Sequence, residues 1–171
     1  MSSELRYIDT CCVILIIDKD DNHRKVYGCG RKKGEDLFPR NTRFCIPEVV
    51  LGEAVMKIMD KRSESFLAAM QEYHRLVGKG FLTVDYIKDP SFVFDLSKKI
   101  AREKEDSRDR ISPSDALILA CAAAEKNCRI FYTSDSKLLT DLSESKAVDD
   151  WRLNNGYEKM EISDMDDILK E

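Results

Sequence analysis

Short apolar runs that end in polar residues alternate along the chain with longer stretches in which apolar residues recur every three to four positions. Residues 5–9 read as a first strand, running from Leu5 through Tyr7 and Ile8 into Asp9. The run Val13-Ile14-Leu15-Ile16-Ile17 has no clear period and suits a buried strand or a buried helix. Its place directly after Asp9-Thr10, where Thr10 can cap, favours a helix to about residue 20. Residues 22–43 hold three glycines and many charges, and read as a loop or small hairpin with a candidate edge strand at 25–28. A short strand at 43–46 ends at Pro47. Val50, Leu51, Ala54, Val55, Ile58 and Met59 then share one helical face, predicting a helix to about residue 61. Ser63 caps the next helix, which carries Phe66, Leu67, Met70, Tyr73, Leu76 and Val77 up to the stop at Gly78-Lys79-Gly80. Residues 81–87 alternate as a strand, Asp89-Pro90 opens a helix to about residue 105, and 103–110 reads as a charged helix end and loop. Ser112-Pro113-Ser114-Asp115 supplies an N-cap, a proline at the first helical position and a first-turn acid, ahead of a helix over 116–127 that is apolar nearly all round. A strand at 129–133, a helix over 137–150 and a last strand or extended tail at 158–162 follow. This alternation predicts a mainly parallel sheet with helices on both faces.

Composition narrows the picture. At 171 residues without internal repeats, the chain is expected to form one domain, 1–171, with a basic insertion at about 22–43. The net charge of −4 excludes a globally basic surface and confines any nucleic-acid binding to a local patch. Arg24, Lys25, Arg31, Lys32, Lys33, Arg40 and Arg43 form the candidate patch, with Tyr27 and Phe38 interleaved. They could hold RNA phosphates and stack on bases, or they could line a solvated loop. Six cysteines without a CxxC spacing and only two histidines, His23 and His74, do not describe a zinc site. Reduced, structural thiols are expected, with Cys29–Cys45 open as a disulfide. No apolar run approaches the ~20 residues of a membrane span, and the first residues lack a signal-peptide pattern. A soluble, cytoplasmic protein is therefore expected.

Four carboxylates stand where the chain changes direction. Asp9 and Asp135 close strands, Asp115 opens the apolar helix, and Glu53 lies in the first turns of another. In an alternating α/β chain such positions can converge in one crevice. Converging carboxylates disfavour one another's charge unless a cation lies between them. Each acid also has a plainer role open to it: Asp9 as a helix cap, Asp115 as an acid favoured by the helix dipole, Glu53 on a polar helix face, Asp135 in an Asx turn.

In order along the chain, Tyr7-Ile8-Asp9-Thr10, Ile46-Pro47-Glu48-Val49-Val50-Leu51-Gly52-Glu53, Ser114-Asp115-Ala116-Leu117-Ile118-Leu119-Ala120 and Phe131-Tyr132-Thr133-Ser134-Asp135 resemble a PIN domain. Members are metal-dependent ribonucleases, many of them VapC-like toxins of prokaryotic toxin–antitoxin pairs. The resemblance implies a three-layer α/β/α domain with a mainly parallel central sheet. It implies Mg²⁺ or Mn²⁺ as cofactor, RNA as the substrate of phosphodiester hydrolysis, and Asp9, Glu53, Asp115 and Asp135 as catalytic residues and metal ligands. Thr10 and Thr133 match supporting hydroxyls. Asp9 and Asp115 are expected to bind metal directly, Glu53 and Asp135 through water. Glu53 is preferred over Glu48, which follows the strand too soon and sits beside Pro47. A homodimer and an antitoxin partner are also implied. The helices at 49–61 and 63–77, with Met56, Met59, Phe66, Met70 and Tyr73, offer a groove for either unless those side chains are core. Lys137-Leu138-Leu139 departs from the pattern, since many members carry a further acid and an aromatic there. That departure keeps open a catalytically degenerate PIN-like module that binds RNA or protein without cleaving.

Overall fold

The computed structural model describes residues 5–17, 43–59, 63–87, 89–102, 111–139 and 146–168. Within them, β1 (Leu5–Ile8), β2 (Phe44–Pro47), β3 (Leu82–Asp85), β4 (Cys128–Thr133) and β5 (Glu161–Asp164) form one all-parallel sheet in the order β3-β2-β1-β4-β5. Helices α1 (Thr10–Ile17), α2 (Glu48–Met59) and α3 (Ser63–Gly78) pack together on one side. Helices α4 (Pro90–Arg102), α5 (Pro113–Ala124) and α6 (Lys146–Asn154) pack together on the other, and α7 (Met165–Ile168) follows β5. The result is the three-layer α/β/α architecture that the alternation predicts.

The ambiguous run after Asp9 is helical. Asp9 rather than Thr10 caps it, with Asp9 Oδ1 accepting from the Cys12 N–H at 2.9 Å and the Asp9 carbonyl from the Val13 N–H at 3.0 Å. Every residue of α1 except Cys11 is buried, which explains the missing period: no face needs to be polar. Helix α5 is buried almost as fully. Ser112 caps it, its hydroxyl accepting from the Asp115 N–H at 3.1 Å. After α3, Gly80 adopts φ 73°, a left-handed conformation that lets the Phe81 N–H reach back to the Leu76 carbonyl at 3.0 Å.

Several boundaries differ from the sequence pattern. Pro47 is the last residue of β2, in register with Asp85, and α2 starts at Glu48 with no intervening loop. Of the helix expected over 137–150, the described residues show a helical turn at 136–139 and the start of α6, which runs on to Asn154. Helix α6 runs past residue 150 because its end belongs to the core. Trp151 packs on Phe92 and Tyr157, with ring centroids 4.6 and 5.5 Å away, and Arg152 is fully buried. Gly156, at φ 71°, and Tyr157 then close the helix, the Tyr157 N–H bonding the Arg152 carbonyl at 2.8 Å, so β5 begins only at Glu161. Cys45 is buried, while Cys29 lies outside the described residues. So do Tyr27, Phe38 and, of the basic segment, Arg24, Lys25, Arg31, Lys32, Lys33 and Arg40; Arg43 is described and exposed. Among the described residues no helix is long and apolar enough to cross a membrane.

Candidate active site

The strand order puts a reversal between β1 and β4. From β1 the chain winds outward through β2 to β3, then returns to lay β4 on the opposite side of β1. At such a switch point the loops leaving neighbouring strands diverge to opposite faces and open a crevice at the carboxyl ends of the strands. Asp9 follows β1 immediately, and its N–H bonds the Tyr132 carbonyl of β4 at 3.1 Å. Asp135 lies two residues beyond β4.

Hydroxyl groups tie the acids into one locus. The Thr133 hydroxyl donates to Asp9 Oδ2 and accepts from the Asp135 N–H at 3.0 Å, joining the two strand-end acids. The Thr10 hydroxyl, beside Asp9, donates to Glu53 Oε2 on α2. Ser114, beside Asp115 at the start of α5, donates to Glu53 Oε1 at 3.2 Å. Four segments distant in sequence thus meet through side chains next to, or belonging to, the four predicted acids.

The electrostatics agree with that convergence. Burial raises the Asp9 carboxyl, and the bonds from Thr133, the Cys12 N–H and the Cys11 thiol only partly offset it. Burial also raises Asp115; Ser112 opposes the rise, whereas the charges of Glu53 and Asp135 add to it. Glu53 moves the other way. Burial alone would raise it, but the Thr10 hydroxyl, the Lys57 ammonium and Ser114 hold its carboxyl below the usual range. The Cys11 thiol, 3.0 Å from Asp9 Oδ2, is pushed up by burial and by the Asp9 charge, so it stays protonated and donates.

The plainer roles turn out to be compatible with a site. Asp9 Oδ1 caps α1, Asp115 Oδ2 accepts from the Ser112 hydroxyl at 2.5 Å in a reciprocal cap, and Asp135 Oδ1 accepts from the Lys137 N–H at 2.9 Å. Each of these bonds uses one oxygen and orients the other. Asp115 Oδ1 and Asp135 Oδ2 meet no donor among the described residues. Glu48 serves elsewhere. Its carboxylate accepts from the Ile87 N–H at 3.3 Å, securing the loop after β3.

The donor set, carboxylates flanked by hydroxyls with two undonated oxygens, suits a hard divalent cation in kind. In this arrangement, however, no three His, Cys, Asp or Glu side chains among the described residues stand close enough to hold an ion. Three participants escape a reading of the sequence for acids: Ser114, Cys11 and Lys57. Of these only Lys57 carries a local signal, the Glu-to-Lys spacing of four residues along a helix. A separate cavity of about 430 Å³, lined by Tyr7, Asp85, Tyr86, Phe92, Glu125 and Tyr157 among others, does not include the four acids.

A PIN domain family model matches residues 6–143 of the chain. Among solved structures, the crystal structure of VapBC2 from Rickettsia felis, bound to a DNA fragment from their promoter, is similar in fold. The TM-score is 0.54 at 14% identity, covering 94% of this chain and 98% of that one. No curated protein matches the chain in a direct comparison.

Proposed function

The chain belongs to the PIN domain family, and from that premise we propose that it is an endoribonuclease hydrolysing RNA phosphodiester bonds with Mg²⁺ or Mn²⁺ at Asp9, Glu53, Asp115 and Asp135. The observation that carries this reading is the hydroxyl-linked meeting of these acids at the switch point between β1 and β4. Asp9 and Asp115 would hold the ion directly, with Glu53 and Asp135 reaching it through water. A bound ion supplies a polarised water and neutralises charge on the phosphate and leaving oxygen. Thr133 and the Cys12 N–H keep the Asp9 carboxylate in one rotamer, so its position does not depend on the ion. Ser112 does the same for Asp115. Glu53, held ionised by its three donors, is suited to orient the attacking water. Cleavage of single-stranded RNA with Mn²⁺ is expected to fall by about 100-fold or more in Asp9→Asn and in Asp115→Asn. Persistence of cleavage in either variant would remove the site assignment.

The basic residues Arg24, Lys25, Arg31, Lys32, Lys33, Arg40 and Arg43 are proposed to hold RNA phosphates beside the acids. Met56, Met59 and Leu67 are 61%, 56% and 64% exposed around the end of α2 and the start of α3. They support, as an exposed apolar patch, the antitoxin-like partner or second copy of the chain that the family resemblance implies. Within the same helices Tyr73 is buried, and Phe66 and Met70 pack against the core. A second reading rests on Leu138, which occupies the region where many members carry a further acid and is 1% exposed, turned into the core. It would make the chain a binding module without turnover. Metal binding measured by calorimetry, with no cleavage of any RNA, would favour that reading.

A further inference from the structure

The cavity of about 430 Å³ that excludes the four acids is bounded by the end of β3, the start of α4, the end of α5 and the turn after α6. Its volume is that of a small-molecule pocket. Two kinds of group line it. The first is aromatic: Tyr7, Phe92 and Tyr157 contribute rings, and Tyr86, 70% exposed, adds a ring that the core does not use. The second is acidic. Asp85, Asp89 and Glu125 outnumber Lys126, the one cationic side chain among the described lining residues. Asp85 Oδ2 accepts from the buried Tyr7 hydroxyl, and Asp89 Oδ1 accepts from the Ser91 hydroxyl at 3.0 Å and the Phe92 N–H at 3.2 Å. Asp85 Oδ1 and Asp89 Oδ2 meet no donor among the described residues. Burial and the adjoining Asp85 carboxylate push the Tyr7 phenol up, so it stays a proton donor and holds Asp85 in one orientation at the end of β3.

This lining selects by charge and by size. A wall with more carboxylates than cations disfavours phosphates, and with them nucleotides. A bare divalent ion needs several oxygens converging on one point, and no three His, Cys, Asp or Glu side chains among the described residues do so. Carboxylates spread between aromatic rings suit instead a cation carried on an organic body. Ring faces attract its charge and cover its apolar part, while an undonated carboxylate oxygen takes its N–H groups. We propose that this cavity binds a small organic cation, an alkylguanidinium or alkylammonium compound, with its nitrogen head on Asp85 Oδ1 and its body against Tyr86, Phe92 and Tyr157. Asp89 and Glu125 add to the field that draws the charge in, and Lys126 opposes it. None of the four acids at the switch point takes part, so the site stands independently of the nuclease reading.

The test is a titration of the full chain with butylguanidinium, butylammonium and butylurea, followed by calorimetry and by fluorescence at low ionic strength. Trp151 is the natural reporter, since its ring lies 4.6 Å from Phe92 and 5.5 Å from Tyr157, both in the lining. A chelator in the buffer removes divalent ions, so the outcome does not depend on the metal reading. At least one of the two cations is expected to bind saturably. Butylurea, which has the shape of butylguanidinium without its charge, is expected to bind about tenfold more weakly than butylguanidinium, or not at all. Asp85→Asn keeps an acceptor for the Tyr7 hydroxyl but loses the charge, and should weaken the bound cation about tenfold. Tyr86→Ala, at an exposed ring, should weaken it about threefold, and Lys126→Met, which removes a like charge, should tighten it. The last two variants lie at exposed positions and report even where Asp85→Asn folds poorly. Failure of both cations to saturate, equal binding of butylurea, or affinities unmoved by Tyr86→Ala and Lys126→Met would each overturn the inference.

Discussion

Replacing Arg152 with methionine should destabilise the protein more than any single change at the acid site. Arg152 is fully buried on α6, and its guanidinium bonds backbone carbonyls and lies over the Tyr157 ring, 5.6 Å from the centroid. Nε donates to Glu158 O at 2.5 Å, Nη1 to Ala123 O at 2.8 Å and Glu125 O at 3.1 Å, and Nη2 to Cys128 O at 2.8 Å and Lys126 O at 3.4 Å. It thereby closes the C-terminal end of α5, where unpaired carbonyls and the negative end of the helix dipole accumulate. Glu125 O keeps a backbone partner, the Cys128 N–H at 3.0 Å. The bonds to Ala123 O and Cys128 O are the buried ones, and acceptors stranded there cost about 1–3 kcal/mol each. Methionine fills part of the volume and removes the desolvation cost of the charge, which offsets some of the loss. A net loss of roughly 3–4 kcal/mol follows, or a fall of about 10 °C in Tm for a domain this size. Trp151, the single tryptophan, packs between Phe92 and Tyr157 beside the substitution and reports unfolding by fluorescence in urea. A loss below about 1 kcal/mol with unchanged m-value would refute the reasoning, since it would mean that desolvation of the guanidinium cancels its bonds.

Further outcomes follow from the site. Thr133→Val removes the hydroxyl shared by Asp9 and the Asp135 N–H; a loss of about 1–3 kcal/mol is expected in urea melts, together with reduced RNA cleavage, and wild-type values in both assays would contradict the bridge. Ser112→Ala removes the α5 cap and should cost about 1 kcal/mol in the same melts. In chelator-treated protein the raised Asp9 and Asp115 make the folded state take up protons at higher pH than the unfolded chain, so stability should climb as pH falls from neutral toward the ordinary carboxylate range. Glu53, held low, contributes in the opposite sense: its share is present above the ordinary Glu range and is lost as pH falls through its folded value. Scanning calorimetry across mildly acid buffers checks this, and a Tm that only falls from about pH 7 to about pH 5 would contradict it.

Much of the layout is visible in local pattern. The Ser112-Pro113-Ser114-Asp115 cap, the β-rich run into Thr133 and the one-face spacing of α2 each depend on neighbours a turn or less away. The misplaced features are those whose cause is remote. Helix α6 extends to Asn154 because Trp151 and Arg152 find partners on α4, α5 and β4, and no neighbour in the sequence announces that. The polarity of α1 could not be read for the same reason, since a helix buried on every side has no exposed stripe to reveal its period. Lys57 was legible only as a pair with Glu53, not as a charge inside an acidic crevice.

By itself, then, the sequence determined that Asp9, Asp115 and Asp135 stand at the ends of elements, because caps, strand ends and helix starts are local matters. Whether those ends meet was decided by the strand order. Asp9 and Thr133 lie 124 residues apart in the chain and touch only because β4 pairs with β1 rather than with β3. That choice is made by burial of whole helices on both faces of the sheet, a property of no single segment. It also brought the second oxygen of Asp9, whose first caps α1, against the Thr133 hydroxyl.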